Sequence, residues 1–241
     1  MCFPHAGGSA TYYHPLAQAP QLMEGAEVLA VQYPGRQDRR KEPFVDSVPL
    51  LADHIAAALG PFTGRPLVFF GHSMGATIAY EVACRLGARQ PASGPSWLIA
   101  SGRRAPSRFR LGTVHRRTDA EIVEELRRVG GTDPAFLDDR ELLATIIPVI
   151  RNDYRAIEGY RWTPSPPLTC PITALVGNQD PQTTRDEAAA WEQHTSGAFE
   201  LREFAGGHFY LDFHRRGVAD CLSQVLEHVV RPLEQLGGKG R

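Results

Sequence analysis

At 241 residues the chain has the length of a single α/β domain (1–241) carrying an insertion, rather than of two independent domains. Hydrophobic residues make up 42% and charged residues 22%, the balance of a globular protein with one sizeable core. A net charge of −1 gives no electrostatic reason to expect nucleic acid or an anionic membrane as partner.

Taken in chain order, the first feature is the loop Phe3-Pro4-His5-Ala6-Gly7-Gly8-Ser9, and Val28–Val31 then reads as a short buried strand. Val48, Leu51, Ala52, Ile55 and Leu59 fall on one helical face. Leu67–Phe70 is a strand running into Gly71-His72-Ser73-Met74-Gly75, after which Ile78, Val82 and Leu86 mark a helix. Trp97–Ala100 is the next strand. From about 107 to 164 the strand–helix alternation stops, and two helical patterns take its place. The first opens with a capping box, Thr118 with Glu121; the second runs from Leu142 to Ile157 with Pro148 expected to kink it. An insertion of this size between core strands is a candidate lid. Ile172–Val176 and the more polar, edge-like Phe199–Phe204 complete the strands. Val218, Cys221, Leu222, Val225, Leu226 and Val229 form the face of a C-terminal helix. The alternation predicts an α/β fold, a mostly parallel sheet with helices on both faces.

The four cysteines (Cys2, Cys84, Cys170, Cys221) stand far apart without metal-like spacing and read as free thiols of a reducing compartment. With no signal-peptide pattern and no run of about 18 apolar residues, the expected location is cytoplasmic.

The chemistry gathers at Ser73. A Gly-x-Ser-x-Gly segment alone is a weak signal, but here a strand leads in and a helix leads out, as a nucleophile elbow requires. A serine hydroxyl needs a base. Of nine histidines, His208 is the candidate, in the glycine-rich loop Ala205-Gly206-Gly207-His208 between the last strand and the last helix. The orienting acid should lie between serine and histidine in the chain, and Asp180, just after a buried strand, fits; Asp153, Asp186 and Asp212 are its rivals. The N–H groups of Met74 and of Ala6, beside Gly7-Gly8, are the candidate oxyanion donors. No metal or redox cofactor is expected.

Together Phe3–Gly8, Tyr33-Pro34-Gly35-Arg36, Gly71–Ala76, Arg151-Asn152-Asp153-Tyr154, Gly177 with Asp180, and Gly207-His208-Phe209 resemble the type II thioesterases of polyketide and nonribosomal peptide assembly lines, in the α/β-hydrolase superfamily. The resemblance implies hydrolysis of acyl groups from the phosphopantetheine arm of an acyl or peptidyl carrier protein, in an editing role. An oxygen-ester hydrolase, an acyltransferase using the same acyl-enzyme, and a non-catalytic carrier-binding protein are the competing readings. The fold also implies a strand before the oxyanion loop, between Val28–Val31 and Leu67–Phe70. Only Met1 and Cys2 precede Phe3, so the expectation is an N-terminally shortened or late-assigned chain. Arg103, Arg104, Arg108 and Arg110, with Arg116 and Arg117, form a basic run without acidic residues, a candidate docking surface for acidic carrier proteins.

Overall fold

The computed structural model describes residues 1–23, 26–90 and 93–237. Five strands, β1 (Cys2–Phe3), β2 (Val68–His72), β3 (Trp97–Ser101), β4 (Ile172–Gly177) and β5 (Phe199–Phe204), form one sheet in that spatial order, each pair parallel. The helices are α1 (His14–Ala17), α2 (Pro20–Met23), α3 (Val48–Ala58), α4 (Met74–Arg89), α5 (Asp119–Val129), α6 (Pro134–Leu137), α7 (Arg140–Gly159), α8 (Arg185–Ala189) and α9 (Arg215–Gly237).

Successive strand residues point to opposite faces, and both faces are covered. Phe69, Leu98, Ala100, Ala174 and Val176 pack with Val48 and Leu51 of α3 and Ile78 and Val82 of α4. The alternate residues Phe70, Ile99 and Leu175 meet Tyr13, Tyr210 and the α9 face of Val218, Leu222 and Val225. Two-sided burial is why these strands read as continuous apolar runs instead of alternating ones. Phe199–Phe204 is the edge strand, half-exposed along its length.

The expected strand at Val28–Val31 reduces to one bridge between Ala30 and Cys2. The cause is the length of its partner. β1 turns only the N–H and C=O of Cys2 toward this segment, which bond Leu29 O (2.7 Å) and Val31 N–H (2.9 Å). On its other side β1 pairs with Phe70 and Gly71 of β2. The loop strand therefore does lie between its two predicted neighbours.

Between β3 and β4 the insertion folds as α5, α6 and α7. The capping box opens α5, with Glu121 Oε2 accepting the Thr118 N–H at 2.8 Å. Pro148 lies inside α7, which stays helical on both sides of it. Val114, Ile122, Leu126, Leu137, Ile147 and Ile150 bury one another as a small core belonging to the insertion.

Candidate active site

β2 ends at His72 and α4 begins at Met74, leaving Ser73 alone in the turn. Its backbone adopts φ +54° and ψ −120°, a strained conformation for a residue with a side chain. The Ser73 N–H bonds Ser101 O at 2.8 Å, fastening the turn to β3. Gly75 is required by close approach: a Cβ there would lie 2.0 Å from Phe3 O. The second glycine of the motif thus lets helix α4 sit against the strand that carries the Ala6 loop.

The other two predicted residues meet at the ends of β4 and β5. His208 Nδ1 donates to Asp180 Oδ2 at 2.8 Å, and both side chains are almost wholly buried. The remaining Asp180 oxygen accepts the Gln182 N–H at 2.7 Å, so both oxygens are occupied by donors. This is an Asp turn, not a helix cap; the helix that follows is capped by Thr184. A carboxylate held this way fixes the imidazole with its other nitrogen free to act on a hydroxyl. The rival acids are engaged elsewhere or exposed. Asp153 pairs with Arg36, Asp212 accepts from the Tyr12 hydroxyl at 3.2 Å, and Asp186 faces solvent.

Among the hydrogen bonds of the described residues, none takes the N–H of Ala6 or of Met74. Both residues line the same cavity as Ser73 and His208, a hollow of about 530 Å³ roofed by Ile146, Ile150 and Tyr154 of α7. A larger hollow of about 730 Å³, between Tyr12, Leu16 and Arg215, contains none of these groups. The chemistry selects the smaller one. Two further histidines pack around the base: the His72 ring lies 5.0 Å from that of His208 and 6.0 Å from that of His5. Burial, then the neighbouring His208, pushes His5 down to about 3 and holds His72 well below its ordinary value, so both stay neutral. Among the described residues no group of three His, Cys, Asp or Glu is arranged to hold a metal ion.

The basic run is not one exposed surface. Arg103 turns inward, its Nε donating to Thr77 Oγ1 at 3.1 Å, and lines the cavity; burial lowers it to about 9. Arg104 is half-buried and donates to Gln182 O at 3.0 Å, and Arg110 pairs with Glu187 at 2.7 Å. The segment that follows Asp180 lies against the loop after β3, with Gln182 O accepting from Arg104 and Arg110, and Arg110 stays exposed beside it. Arg108 stays exposed.

One pair was missed from sequence. Arg36 and Asp153 form a buried, forked ion pair with both N···O distances at 2.7 Å. The signal was present: Asp153 lies between Ile150 and Ile157 on the apolar face of α7, where a charge needs a partner.

The thioesterase-domain family model matches residues 1–229. The chain is 51% identical over 226 residues to the probable cadicidin biosynthesis thioesterase of Streptomyces griseus, covering 94% of this chain and 62% of that one. It is 49% identical over 228 residues to the thioesterase PikA5 of Streptomyces venezuelae, covering 94% and 80%. Among solved structures, the type II thioesterase BorB from the borrelidin biosynthetic cluster superposes with a TM-score of 0.86 at 48% identity, covering 93% of this chain and 91% of that one.

Proposed function

The chain belongs to the thioesterase-domain family, and from that premise we propose that it hydrolyses acyl groups from the phosphopantetheine arm of an acyl or peptidyl carrier protein, clearing stalled chains from a polyketide or nonribosomal peptide assembly line. The observation that carries this reading is the Ser73 elbow opening, with the His208–Asp180 pair, into a cavity under the insertion. Ser73 Oγ attacks the thioester carbonyl as His208 takes its proton. The oxyanion so formed receives the N–H groups of Ala6 and Met74. Collapse expels the thiol, protonated by His208, and leaves an acyl-enzyme. Water, deprotonated by His208, then releases the carboxylic acid and restores Ser73. Each proton and charge has a protein group assigned to it. The phosphopantetheine belongs to the substrate, and the reading includes no resident cofactor.

Helices α5 and α7 act as the lid, their apolar residues holding the acyl chain away from water. No helix of the described residues is long and apolar enough to cross a membrane, and the proposed setting is cytoplasmic, beside the carrier proteins. Of the basic run, Arg108 and Arg116 are exposed and pair with no carboxylate among the described residues, and they would meet an acidic partner. Matched acyl thioester and oxygen-ester substrates test the assignment. A kcat/KM at least about 10-fold higher for the thioester supports it; the reverse preference makes the protein an esterase.

A further inference from the structure

Ala6 sits in a loop whose neighbours on both sides are pinned by side chains from elsewhere in the chain. On the N-terminal side the Tyr13 hydroxyl donates to Phe3 O at 2.8 Å, and the Tyr33 hydroxyl donates to Pro4 O at 3.1 Å. On the C-terminal side the Gly7 N–H donates to Asp153 Oδ2 at 2.8 Å, and Arg36 Nη1 donates to Gly8 O at 2.9 Å. Arg36 and Asp153 are themselves joined by the buried fork, with the guanidinium 5.2 Å from the Tyr33 ring centre. Asp153 belongs to α7, the helix that roofs the cavity, and α7 meets the loop again one turn earlier. A Cβ on Gly7 would lie 2.7 Å from Ile150 Cγ1.

We propose that Arg36 and Asp153 are positioning residues that hold the Ala6 N–H in place for the oxyanion and tie that placement to the lid helix α7. Stability alone is a poor account of the pair. Two buried charges gain little over a well-packed apolar pair, and Arg36 Nε is left without an acceptor. What the pair supplies is direction: Asp153 takes the Gly7 N–H, which fixes the Ala6–Gly7 peptide plane beside the donor, and Arg36 holds the Gly8 C=O two peptides further along the loop. An oxyanion donor is effective only when preorganised, so a loosened loop weakens the tetrahedral state more than the bound substrate. The same ion pair makes α7 and the oxyanion loop one mechanical unit, so a lid displacement at Asp153 disorders the donor. The proposal rests on the thioesterase reading above only for the identity of the reacting carbonyl.

The test compares wild type, Asp153→Asn and Arg36→Lys by kcat and KM on an acyl-pantetheine thioester. It adds the affinity for an alkylboronic acid, which forms a tetrahedral adduct on serine, and for the uncleavable acyl-pantetheine amide. The expected result is a roughly 10–100-fold fall in kcat, a matching loss of boronate affinity, and KM and amide affinity within about threefold of wild type. Boronate and amide affinities falling together, or kcat within about threefold of wild type in a folded variant, overturns the proposal. Arg155→Ala removes an exposed contact of α7 with Asp46 (3.9 Å) that does not touch the loop or the fork, and should leave the boronate-to-amide ratio unchanged; a shift equal to that of Asp153→Asn also overturns it. Arg36→Lys, which keeps the buried cation but loses the fork, decides the matter should Asp153→Asn fail to fold. A wild type that binds the boronate but cleaves no thioester refutes the functional reading while the boronate comparison still judges the clamp.

Discussion

Ser73 holds φ +54° because three things around it agree: an N–H anchored to Ser101 O, a helix starting at the next residue, and a glycine two positions on. The last is the most exposed to test. In Gly75→Ala the new Cβ would meet Phe3 O at 2.0 Å, so α4 or β1 must move. Overpacking of this kind against backbone costs about 3 kcal/mol, which a denaturant titration would read as a lowered midpoint. An unchanged midpoint would mean that the elbow is looser than the structure has it. At this scale the sequence was informative wherever a residue type has few other uses in its context. The strand–turn–helix setting points to Ser73, which the structure has in such a turn, and chain order points to Asp180 and His208 among their rivals, which a 2.8 Å hydrogen bond joins. Arg36 and Asp153 carry no pairing in the sequence, where Asp153 reads only as a rival acid, because no local pattern says which distant residue a buried charge will meet. The arginines failed for the opposite reason. Their clustering in sequence suggests a shared surface, but Arg103 turns inward to Thr77 of α4 and Arg104 is tied to Gln182.

Among the elements, periodicity was enough for β2 to β5 and for the long helices α3, α4, α7 and α9, whose apolar faces are the ones found buried. It was insufficient for Val28–Val31, since pairing depends on what the neighbour offers and β1 offers one residue. The four-residue helix α6 was missed for a related reason: one turn is too short to show a period. The insertion has its own N-terminal lock at α5, where Thr118 and Glu121 bond reciprocally. Thr118→Ala removes that cap and should lower stability by about 1 kcal/mol, seen as a lower thermal midpoint. Since α5 also reaches the acid loop through Gln182 Nε2 and Glu125 Oε1 (2.9 Å), a frayed α5 should raise KM for long acyl thioesters more than for acetyl thioester. Equal KM values for the two chain lengths would detach the lid from acyl-chain binding.

For the molecule as a whole, the buried neutral histidines make stability respond to acid already below about pH 6.5. His5 is lowered to about 3 and His194 to about 4, both chiefly by burial, and His72 lies well below its ordinary value near 6.5. The unfolded chain therefore binds more protons than the native one below about pH 6.5, and stability is lost as pH falls from there toward 3 to 4. The urea midpoint should drop between pH 7 and pH 5, and His194→Gln should make that drop shallower; a midpoint that rises toward pH 5 contradicts the burial of these rings. Surface charge offers a second whole-molecule test. Arg108→Glu should raise KM for a carrier-bound acyl group several-fold and leave a small acyl-pantetheine thioester unaffected. Equal effects on both substrates would remove carrier docking from that face.

In the proposed function Ser73 cleaves a thioester on a carrier protein. Intact-mass spectrometry of a carrier loaded with a short acyl group reads this directly, using wild type and Ser73→Ala. Wild type should return the carrier to the mass of its free phosphopantetheine thiol, while Ser73→Ala should leave the acyl mass in place. Loss of the acyl group at the same rate with both proteins, or an acyl-carrier untouched by wild type that still cleaves the matched oxygen ester, would contradict it.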